Sequence, residues 1–247
     1  MRIVGANVYE GCWEEEKFGR LVEFVGQHNP DVVGILEANE WDEGRLAELA
    51  SKTGYEHYFF GQANSDYDLA LMSRLPVKAD NLPTGFKHTC IKAEIGGVRL
   101  FLVHLSPDNE DARLREVEVL LGHIGKNPQR TILMGDMNSL SPADREAYER
   151  DGLWQKCVGA GVAKFGETGL RYEVVQKLLD AGLVDVGDGY TTPTPVNVDK
   201  YHLAPLRLDY VLVSPDLVSK VQNFAVVRDA VTERMSDHFP VMVVLDY

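Results

Sequence analysis

The sequence predicts an α/β fold with a mixed β-sheet, and three observations indicate it. Short apolar runs alternate with amphipathic stretches along the chain. Residues 94–99 read as a hairpin that turns at Gly96 and Gly97, which requires antiparallel pairing and argues against a purely parallel, doubly wound sheet. The 247 residues are 45% hydrophobic, which is ample for the core of one large domain covering residues 1–247.

Strands and helices can be placed in chain order. Strands are predicted at residues 2–8, 31–37, 70–73, 98–105, 131–135, 208–214 and 241–245. Amphipathic helices, with apolar residues spaced i, i+3, i+4 and i+7, are predicted over residues 18–25, 114–124 and 170–181. Gly125 and Gly182 stand near the ends of the last two helices, where a C-cap is expected. Residues 190–205 contain several prolines and are predicted to form a long loop, a kind of segment that is often functional.

Charge and cysteine content restrict the class of protein. A net charge of −13 argues against avid, non-specific nucleic-acid binding, but it leaves open a local site that depends on divalent cations. Cys12, Cys90 and Cys157 form no CxxC pair and suggest no disulfide framework, which favours a reducing, cytoplasmic setting. No signal peptide, membrane span or lipidation motif is recognised, so no membrane partner is expected.

The most informative motif is Gly135-Asp136-Met137-Asn138, which follows the apolar run at residues 131–134. Because side chains alternate along an extended chain, Asp136 and Asn138 are expected on the same side. Asp136 can accept a proton or bind a cation, and Asn138 can donate a hydrogen bond to an anion without adding charge. The pairing suits phosphate ester chemistry, although the same residue types also form ordinary turns at strand ends.

Other predicted strands also end in polar side chains. These are Asn7, Glu37, His104, Asp209 and the pair Asp237-His238. Because ligands of open α/β sheets gather at the carboxyl ends of strands, we expect these residues to meet. Phosphoester hydrolysis needs a hard cation, for which a carboxylate such as Glu37 is suited. It also needs a water activated by Asp136 or by a histidine–carboxylate pair, and hydrogen-bond donors for the developing charge.

The ordered set of motifs resembles the endonuclease/exonuclease/phosphatase superfamily, the group of deoxyribonuclease I, exonuclease III, sphingomyelinases and inositol polyphosphate 5-phosphatases. The motifs are Asn7, Leu36-Glu37, Val103-His104-Leu105, Gly135-Asp136-Met137-Asn138, Leu208-Asp209-Tyr210 and Ser236-Asp237-His238. They follow the family's order over essentially the whole chain. The resemblance implies a four-layer sandwich, in which two facing mixed β-sheets are flanked by helices as in deoxyribonuclease I.

The resemblance also implies a metal site. Glu37 would be the principal ligand of Mg²⁺ or Mn²⁺, with Asn7 and Asp237 close to the metal. Abasic-site endonucleases of the exonuclease III type usually carry Trp-Asn and Leu-Gln-Glu at the first two motifs. This chain has Ala6-Asn7 and Leu36-Glu37-Ala38 instead, so it looks closer to the branches that carry a His-Leu motif.

A catalytic set follows from the same resemblance. Asp136 and Asn138 would orient the nucleophilic water and the phosphate. Asp209 would orient the imidazole of His238, which would contact the scissile phosphate. His104 matches the phosphate-side histidine of the deoxyribonuclease I and sphingomyelinase branches. Either Asp136 or the Asp209–His238 pair would be the general base, and the sequence leaves both open.

Four further residues are weaker candidates for substrate binding. Asp68 could steady His104 through a carboxylate–imidazole contact. Arg113 could reach a substrate phosphate, and a solvated helix face is the alternative. Trp13 and Trp41 follow the first two motif strands closely and could line a rim, although Trp is also a common half-buried core residue.

The sequence therefore predicts a divalent-metal-dependent phosphoester hydrolase, most simply a phosphodiesterase that uses in-line attack by an activated water. A DNA-repair endonuclease or exonuclease, or an end-processing phosphodiesterase, is the nearer alternative, against which the net charge of −13 counts. A non-catalytic binding module on the same fold is the more distant one. A nucleic acid is thus one candidate substrate, beside small phosphodiesters.

Overall fold

The protein is built from two six-stranded mixed β-sheets that face each other. The computed structural model describes residues 1–187, 203–204 and 206–247. Its strands are, in chain order, β1 (Arg2–Asn7), β2 (Val32–Leu36), β3 (His57–Gly61), β4 (Leu69–Ser73), β5 (Val77–Asn81), β6 (Cys90–Ile95), β7 (Val98–His104), β8 (Thr131–Asp136), β9 (Val184–Asp185), β10 (Asp209–Val213), β11 (Val221–Val226) and β12 (Val241–Leu245). The first sheet has the order β11-β12-β1-β2-β4-β3, and the second has the order β5-β6-β7-β8-β10-β9.

Each sheet contains one parallel pair near its centre. β1 runs parallel to β2 and β7 runs parallel to β8, whereas the other described pairs are antiparallel. The predicted hairpin joins β6 to β7, and Ile95 pairs with Val98 across it. Gly96 and Gly97 have φ angles of 55° and 84°, as a two-residue turn between twisted strands requires.

Helices cover the outer faces of both sheets, α1 and α2 on the first and α3 and α6 on the second. The described α-helices are α1 (Glu15–His28), α2 (Glu43–Thr53), α3 (Glu110–Ile124), α4 (Arg145–Arg150), α5 (Leu153–Ala160), α6 (Glu173–Asp180) and α7 (Pro215–Val218). One apolar cluster lies between the first sheet and helices α1 and α2, a second lies between the sheets, and a third lies between the second sheet and helices α3 and α6. The predicted four-layer sandwich is confirmed.

Neighbouring residues of the central strands face different apolar layers. In β1, Val4 and Ala6 pack towards the outer helices, whereas Ile3 packs between the sheets. In β7, Phe101 packs towards α3 and Leu102 packs between the sheets. Because side chains alternate along a strand and both faces of these strands are covered, the central strands read as nearly continuous apolar runs.

The edge strands were not predicted from the sequence. β3, β5, β9 and β11 occupy the four edges of the two sheets. Side chains of β5 and β11 are half-exposed or exposed along their whole length. An edge strand has less apolar cover than a central one, so its apolar pattern is weak.

Helices α2, α4, α5 and α7 were also not predicted from the sequence, although α2 has sequence signals at both ends. Asp42 accepts a hydrogen bond from the Arg45 N–H at 2.8 Å, and Gly54 ends the helix in the left-handed conformation.

The two predicted helix-end glycines follow their helices. The Gly125 N–H donates to the Leu121 carbonyl oxygen at 2.9 Å directly after α3. Helix α6 is shorter than predicted, and Gly182 follows two residues after its last residue. The predicted loop at residues 190–205 lies outside the described residues, except for Leu203 and Ala204. Among the helices that the structure describes, none has both the length and the apolar character needed to cross a bilayer.

Candidate active site

The ends of the central strands of both sheets meet at one edge of the sandwich. β1 ends at Asn7, β2 is followed directly by Glu37, β7 ends at His104 and β8 ends at Asp136. β10 and β12 run antiparallel to β8 and β1, so their first residues lie at this same edge. Asp209, which begins β10, pairs with Asp136 in the sheet. The Ser-Asp-His motif leads into β12 and completes the group.

A cavity of about 560 Å³ opens above these strand ends. Six of the eight predicted metal-binding and catalytic residues line it, namely Glu37, His104, Asp136, Asn138, Asp237 and His238. The other two, Asn7 and Asp209, each hydrogen-bond a lining residue. The structure therefore brings together all eight side chains that the motifs had singled out.

The Glu37 carboxylate is held from two sides. Its Oε1 accepts a hydrogen bond from Asn7 Nδ2 at 2.9 Å, and its Oε2 accepts one from the Glu10 N–H at 3.0 Å. Asn7 is itself fixed, because its Oδ1 accepts from the Tyr9 N–H at 2.9 Å. Glu37 has a φ of 60°, a left-handed conformation that a residue other than glycine adopts at a cost. Each Glu37 oxygen retains free lone pairs, so the carboxylate is preorganised to bind a cation.

The surroundings of Asp237 disfavour its negative charge, and a bound cation would offset that effect. Burial, together with the negative charge of Glu37, raises the pKa of its carboxyl to about 6 against the opposing effect of His238. Within the described residues, no three His, Cys, Asp or Glu side chains form a complete cage for a metal ion. Mg²⁺ suits such a site, because it takes one or two carboxylates and keeps several waters. The donors present therefore fit a hard divalent cation held mainly by Glu37.

Asp136 is buried beside two histidines. Its Oδ1 accepts a hydrogen bond from the Asn138 N–H at 2.6 Å, and its Oδ2 lies 3.6 Å from His104 Nε2. Burial opposes ionisation of Asp136, but the charges of His238, His104 and Lys164 outweigh it and lower its pKa. Asn138 has a φ of 49°, and its Nδ2 donates to the carbonyl oxygen of Leu105 at 2.7 Å. The amide is thus locked next to an ionised carboxylate.

Gly135 explains how the chain can reach this position. It has a φ of 137°, and a Cβ atom built there would lie 1.9 Å from the carbonyl oxygen of Val103 on the neighbouring strand. Only glycine allows so close an approach of the two backbones. The motif therefore needs its glycine for backbone geometry and its Asp and Asn for the cavity.

His238 and Asp209 form a close ion pair, with 2.6 Å between His238 Nδ1 and Asp209 Oδ2. Burial disfavours the imidazolium, but the negative charges of Asp209, Asp136 and Asp237 outweigh burial and raise the pKa of His238 far above its usual value. His238 is therefore protonated near neutral pH, and its Nε2–H is a charged donor.

His88 is a third histidine in the cavity wall, and sequence reasoning missed it. Its ring stacks on that of His104, with 4.7 Å between the centroids, and its Nδ1 lies 2.6 Å from Ser65 Oγ. One signal could have found it. With Gly96 and Gly97 at the turn, the hairpin register pairs Cys90 with Val103, which places His88 beside the end of β7.

Lys164 also lines the cavity and was missed, because no motif surrounds it. Its loop is held from below by Arg113, which corrects the expectation for that residue. Arg113 is fully buried, and it donates to Lys164 O at 2.6 Å, to Ser139 Oγ at 2.7 Å and to Glu110 Oε2 at 3.0 Å. The arginine lies neither on a solvated helix face nor in the lining of the cavity. It positions loops.

Two more expectations are wrong. Asp68 accepts a hydrogen bond from the Ala63 N–H at 2.7 Å, and within the described residues His104 Nδ1 has no hydrogen-bond partner, so Asp68 does not steady it. Trp41 is 4% exposed and donates from Nε1 to the carbonyl oxygen of Gly11 at 2.6 Å. It belongs to the core under α1 and not to a rim. Trp13 is half exposed, and its stacking role stays a prediction.

Comparisons with known proteins agree with the fold and with the motif order. The model of the Endonuclease/Exonuclease/phosphatase family matches residues 5–238. The exodeoxyribonuclease III of Haemophilus influenzae is 25% identical to this chain over an alignment of 255 residues. The alignment spans 90% of this chain and 92% of that protein.

Two solved structures share the fold over their full length and that of this chain. The 3′ phosphatase NExo from Neisseria, bound to a product DNA hairpin, superposes with a TM-score of 0.71 at 20% identity. An AP endonuclease from Archaeoglobus fulgidus superposes with a TM-score of 0.74 at 16% identity. At these identities the two structures support the architecture alone.

Proposed function

The chain belongs to the endonuclease/exonuclease/phosphatase family and is a divalent-metal-dependent phosphoester hydrolase, and we propose that it cleaves a phosphodiester by in-line attack of an activated water. The observation that carries this proposal is the position of Asp136, an ionised carboxylate between the charged His238 and the cavity-lining His104. The proposal takes residues 1–247 as one domain, since the site draws on both its first strand and its last.

Glu37 and Asp237 would hold the metal, with Mg²⁺ or Mn²⁺ as the ion. Asn7 orients Glu37 through the 2.9 Å hydrogen bond and would act on the ion as a positioning residue. When bound, such an ion neutralises the non-bridging phosphate oxygens and lowers the pKa of a bound water. The raised pKa of Asp237 supports this assignment, because burial and the facing Glu37 carboxylate both disfavour its ionised form in the absence of a cation.

Asp136 is the general base in this proposal. Its lowered pKa keeps it ionised, so that it can take a proton from the attacking water. His238 is unsuited to that role, because its pKa is raised and it already carries a proton. It donates a charged hydrogen bond to a phosphate oxygen, which stabilises the charge that develops there. Asp209 keeps His238 protonated and oriented, and Asn138 and Lys164 face the same phosphate.

Phosphodiesters are the preferred substrates, either a nucleic-acid end or a small diester. Proteins similar to this chain are named as an exodeoxyribonuclease, an AP endonuclease and a 3′ phosphatase. These names support DNA-repair activity as the second candidate function. The net charge of −13 and the acidic Glu10 at the cavity favour a small diester or a nucleic-acid end over long duplex contact.

A substrate panel tests the proposal. Bis-p-nitrophenyl phosphate, p-nitrophenyl phosphate, abasic duplex DNA and 3′-phosphorylated DNA would be assayed with Mg²⁺, with Mn²⁺ and with EDTA. Metal-dependent hydrolysis of the diesters, lost in the Asp136→Asn variant, is the expected result. Failure of the wild-type protein to hydrolyse any of the four with either metal would contradict the proposed function.

A further inference from the structure

His88 has the features of a ligand-binding residue and lies outside the catalytic set. Its side chain is 1% exposed, and its ring forms part of the cavity wall against His104. Its Nε2 is buried, and within the described residues no group hydrogen-bonds it. A buried polar atom without a partner is costly, and such atoms in native proteins call for an explanation.

Hydrogen bonds hold the segment that carries His88 in place. The Asn64 N–H donates to the carbonyl oxygen of His88 at 3.0 Å. Asn64 Nδ2 donates to the carbonyl oxygen of Phe86 at 2.8 Å, and the Lys87 N–H donates to Glu116 Oε1 at 2.7 Å. These contacts fix the imidazole before any substrate arrives, as a preorganised binding group requires.

Ser65 is the hydrogen-bond partner of the other ring nitrogen of His88. Ser65 Oγ accepts a hydrogen bond from the Tyr67 N–H at 3.2 Å and lies 2.6 Å from His88 Nδ1. When the Ser65 hydroxyl donates to Nδ1, the neutral ring holds its proton on Nε2. In that tautomer the unpartnered atom in the cavity wall is a donor.

We propose that His88 is a substrate-binding residue of this phosphoesterase, and that its Nε2–H donates a hydrogen bond to a phosphate oxygen on the His104 side of the cavity. This inference rests on the proposed function. His238 lines the same cavity, and in the proposed function it donates to the phosphate as a cation. Burial chiefly lowers the pKa of His88, to about 3, so that at neutral pH His88 is an uncharged donor and takes no part in proton transfer.

Two substitutions separate hydrogen bonding from packing. His88→Leu fills a similar volume without a donor, whereas His88→Gln can place an amide N–H near the position of Nε2. Loss of one hydrogen bond to a charged group lowers kcat/KM by about 10- to 100-fold. We expect that loss in His88→Leu, and recovery to within about threefold of wild type in His88→Gln. The exposed His123, changed to Leu, is the matched control.

The variants also have outcomes that would overturn the proposal. A His88→Leu protein that keeps its melting temperature and retains kcat/KM within about twofold of wild type would do so. An equal loss of kcat/KM in both variants would assign His88 a packing role and would overturn it as well.

A measurement on the wild-type protein covers the case in which the variants do not fold. Assigned nitrogen-15 spectra of histidine-labelled protein should show the His88 ring neutral with its proton on Nε2, and its signal should shift when inorganic phosphate and Mg²⁺ are added. Absence of the shift would overturn the proposal for His88. The proposed function would fail in a different way. In that case the wild-type protein would hydrolyse none of the phosphoesters, independently of the spectra.

Discussion

Arg113 donates a hydrogen bond to the carbonyl oxygen of Lys164 at 2.6 Å, across 51 residues of sequence. The same guanidinium donates to Ser106 O at 3.1 Å and to Ser139 Oγ at 2.7 Å. Glu110 balances its charge at 3.0 Å. One buried cation on α3 therefore holds three loops that border the cavity, and the position of Lys164 depends on it.

Replacing Arg113 with Leu should destabilise the protein strongly. The substitution leaves the buried Glu110 carboxylate without its counter-charge, and breaking a buried ion pair in this way costs about 3–5 kcal/mol. The free energy of unfolding in urea measures the effect. Arg115→Leu, on the exposed face of the same helix, is the control and should change it by less than about 0.5 kcal/mol. Equal effects of the two substitutions would show that the Arg113 network carries no stability.

Asp136→Asn should abolish turnover while leaving the fold intact. The amide is the same size as the carboxylate and can still accept the Asn138 N–H through its oxygen, but it cannot take a proton from water. The expected loss in kcat is about 10²- to 10⁴-fold. Asp80→Asn, on the exposed side of edge strand β5, should retain full activity. Turnover of Asp136→Asn within about tenfold of wild type would remove Asp136 as the general base.

Metal binding should stabilise the folded protein through Glu37. A ligand that binds only the folded state at about 100 times its Kd adds about 2.7 kcal/mol. After EDTA treatment, added Mg²⁺ or Mn²⁺ should therefore raise the melting temperature of the wild-type protein. Glu37→Gln should lose most of that increase, because the amide retains the shape but not the charge. An unchanged metal-induced increase in this variant would place the ion elsewhere.

Stability should fall in acid because of His88. Burial, and then the positive charges of His104 and Lys87, lower the pKa of His88 from 6.5 to about 3, against the opposing effects of Asp136 and Asp108. Above pH 6.5 both the folded and the unfolded protein hold His88 neutral. Below it the unfolded chain binds one more proton, so stability is lost as the pH falls from 6.5 towards about 3.

The size of this effect can be isolated with His88→Gln. The loss amounts to about 1.4 kcal/mol per pH unit, or about 2 kcal/mol between about pH 6.5 and about pH 5. Urea unfolding at several pH values should show the wild type losing this much relative to His88→Gln. Parallel pH profiles for the two proteins would mean that His88 binds its proton at the same pH in the folded and the unfolded protein.

Truncation of the two tryptophans that follow the first strand ends should lower stability to very different extents. Trp41 packs edge-on against Phe18, with ring centroids 6.1 Å apart, so Trp41→Ala should cost about 3–5 kcal/mol of unfolding free energy. Trp13 is half exposed, and Trp13→Ala should cost less than about 0.5 kcal/mol. A stability loss for Trp13→Ala similar to that for Trp41→Ala would contradict this assignment.

The central strands and the motif residues could be read from the sequence for one physical reason. Strands such as β1 and β8 are covered on both faces, so their apolar runs are unbroken and stop where the chain reaches the cavity. Asn7 and Asp136 mark these stops and are conspicuous for that reason. The edge strand β5 has no such contrast, since its side chains alternate between half-exposed and exposed.

Burial could not be read in the same way for single polar or aromatic residues. Arg113 and Trp41 carry side chains that suit a surface or a rim equally well in the sequence. Whether such a side chain is exposed depends on what distant segments place over it. Lys164 O and Ser139 Oγ surround Arg113, and the carbonyl oxygen of Gly11 binds Trp41 Nε1. None of these contacts is local in sequence.

The sequence by itself determined the α/β class, the order of the polar strand ends and the residue types at the phosphoester site, because these depend on local periodicity and on side-chain chemistry. Only the tertiary structure decided that His88 lies on His104 and that Arg113 is buried. Those relationships depend on the register between strands and on loops that pack from afar, and a linear chain carries neither until it has folded.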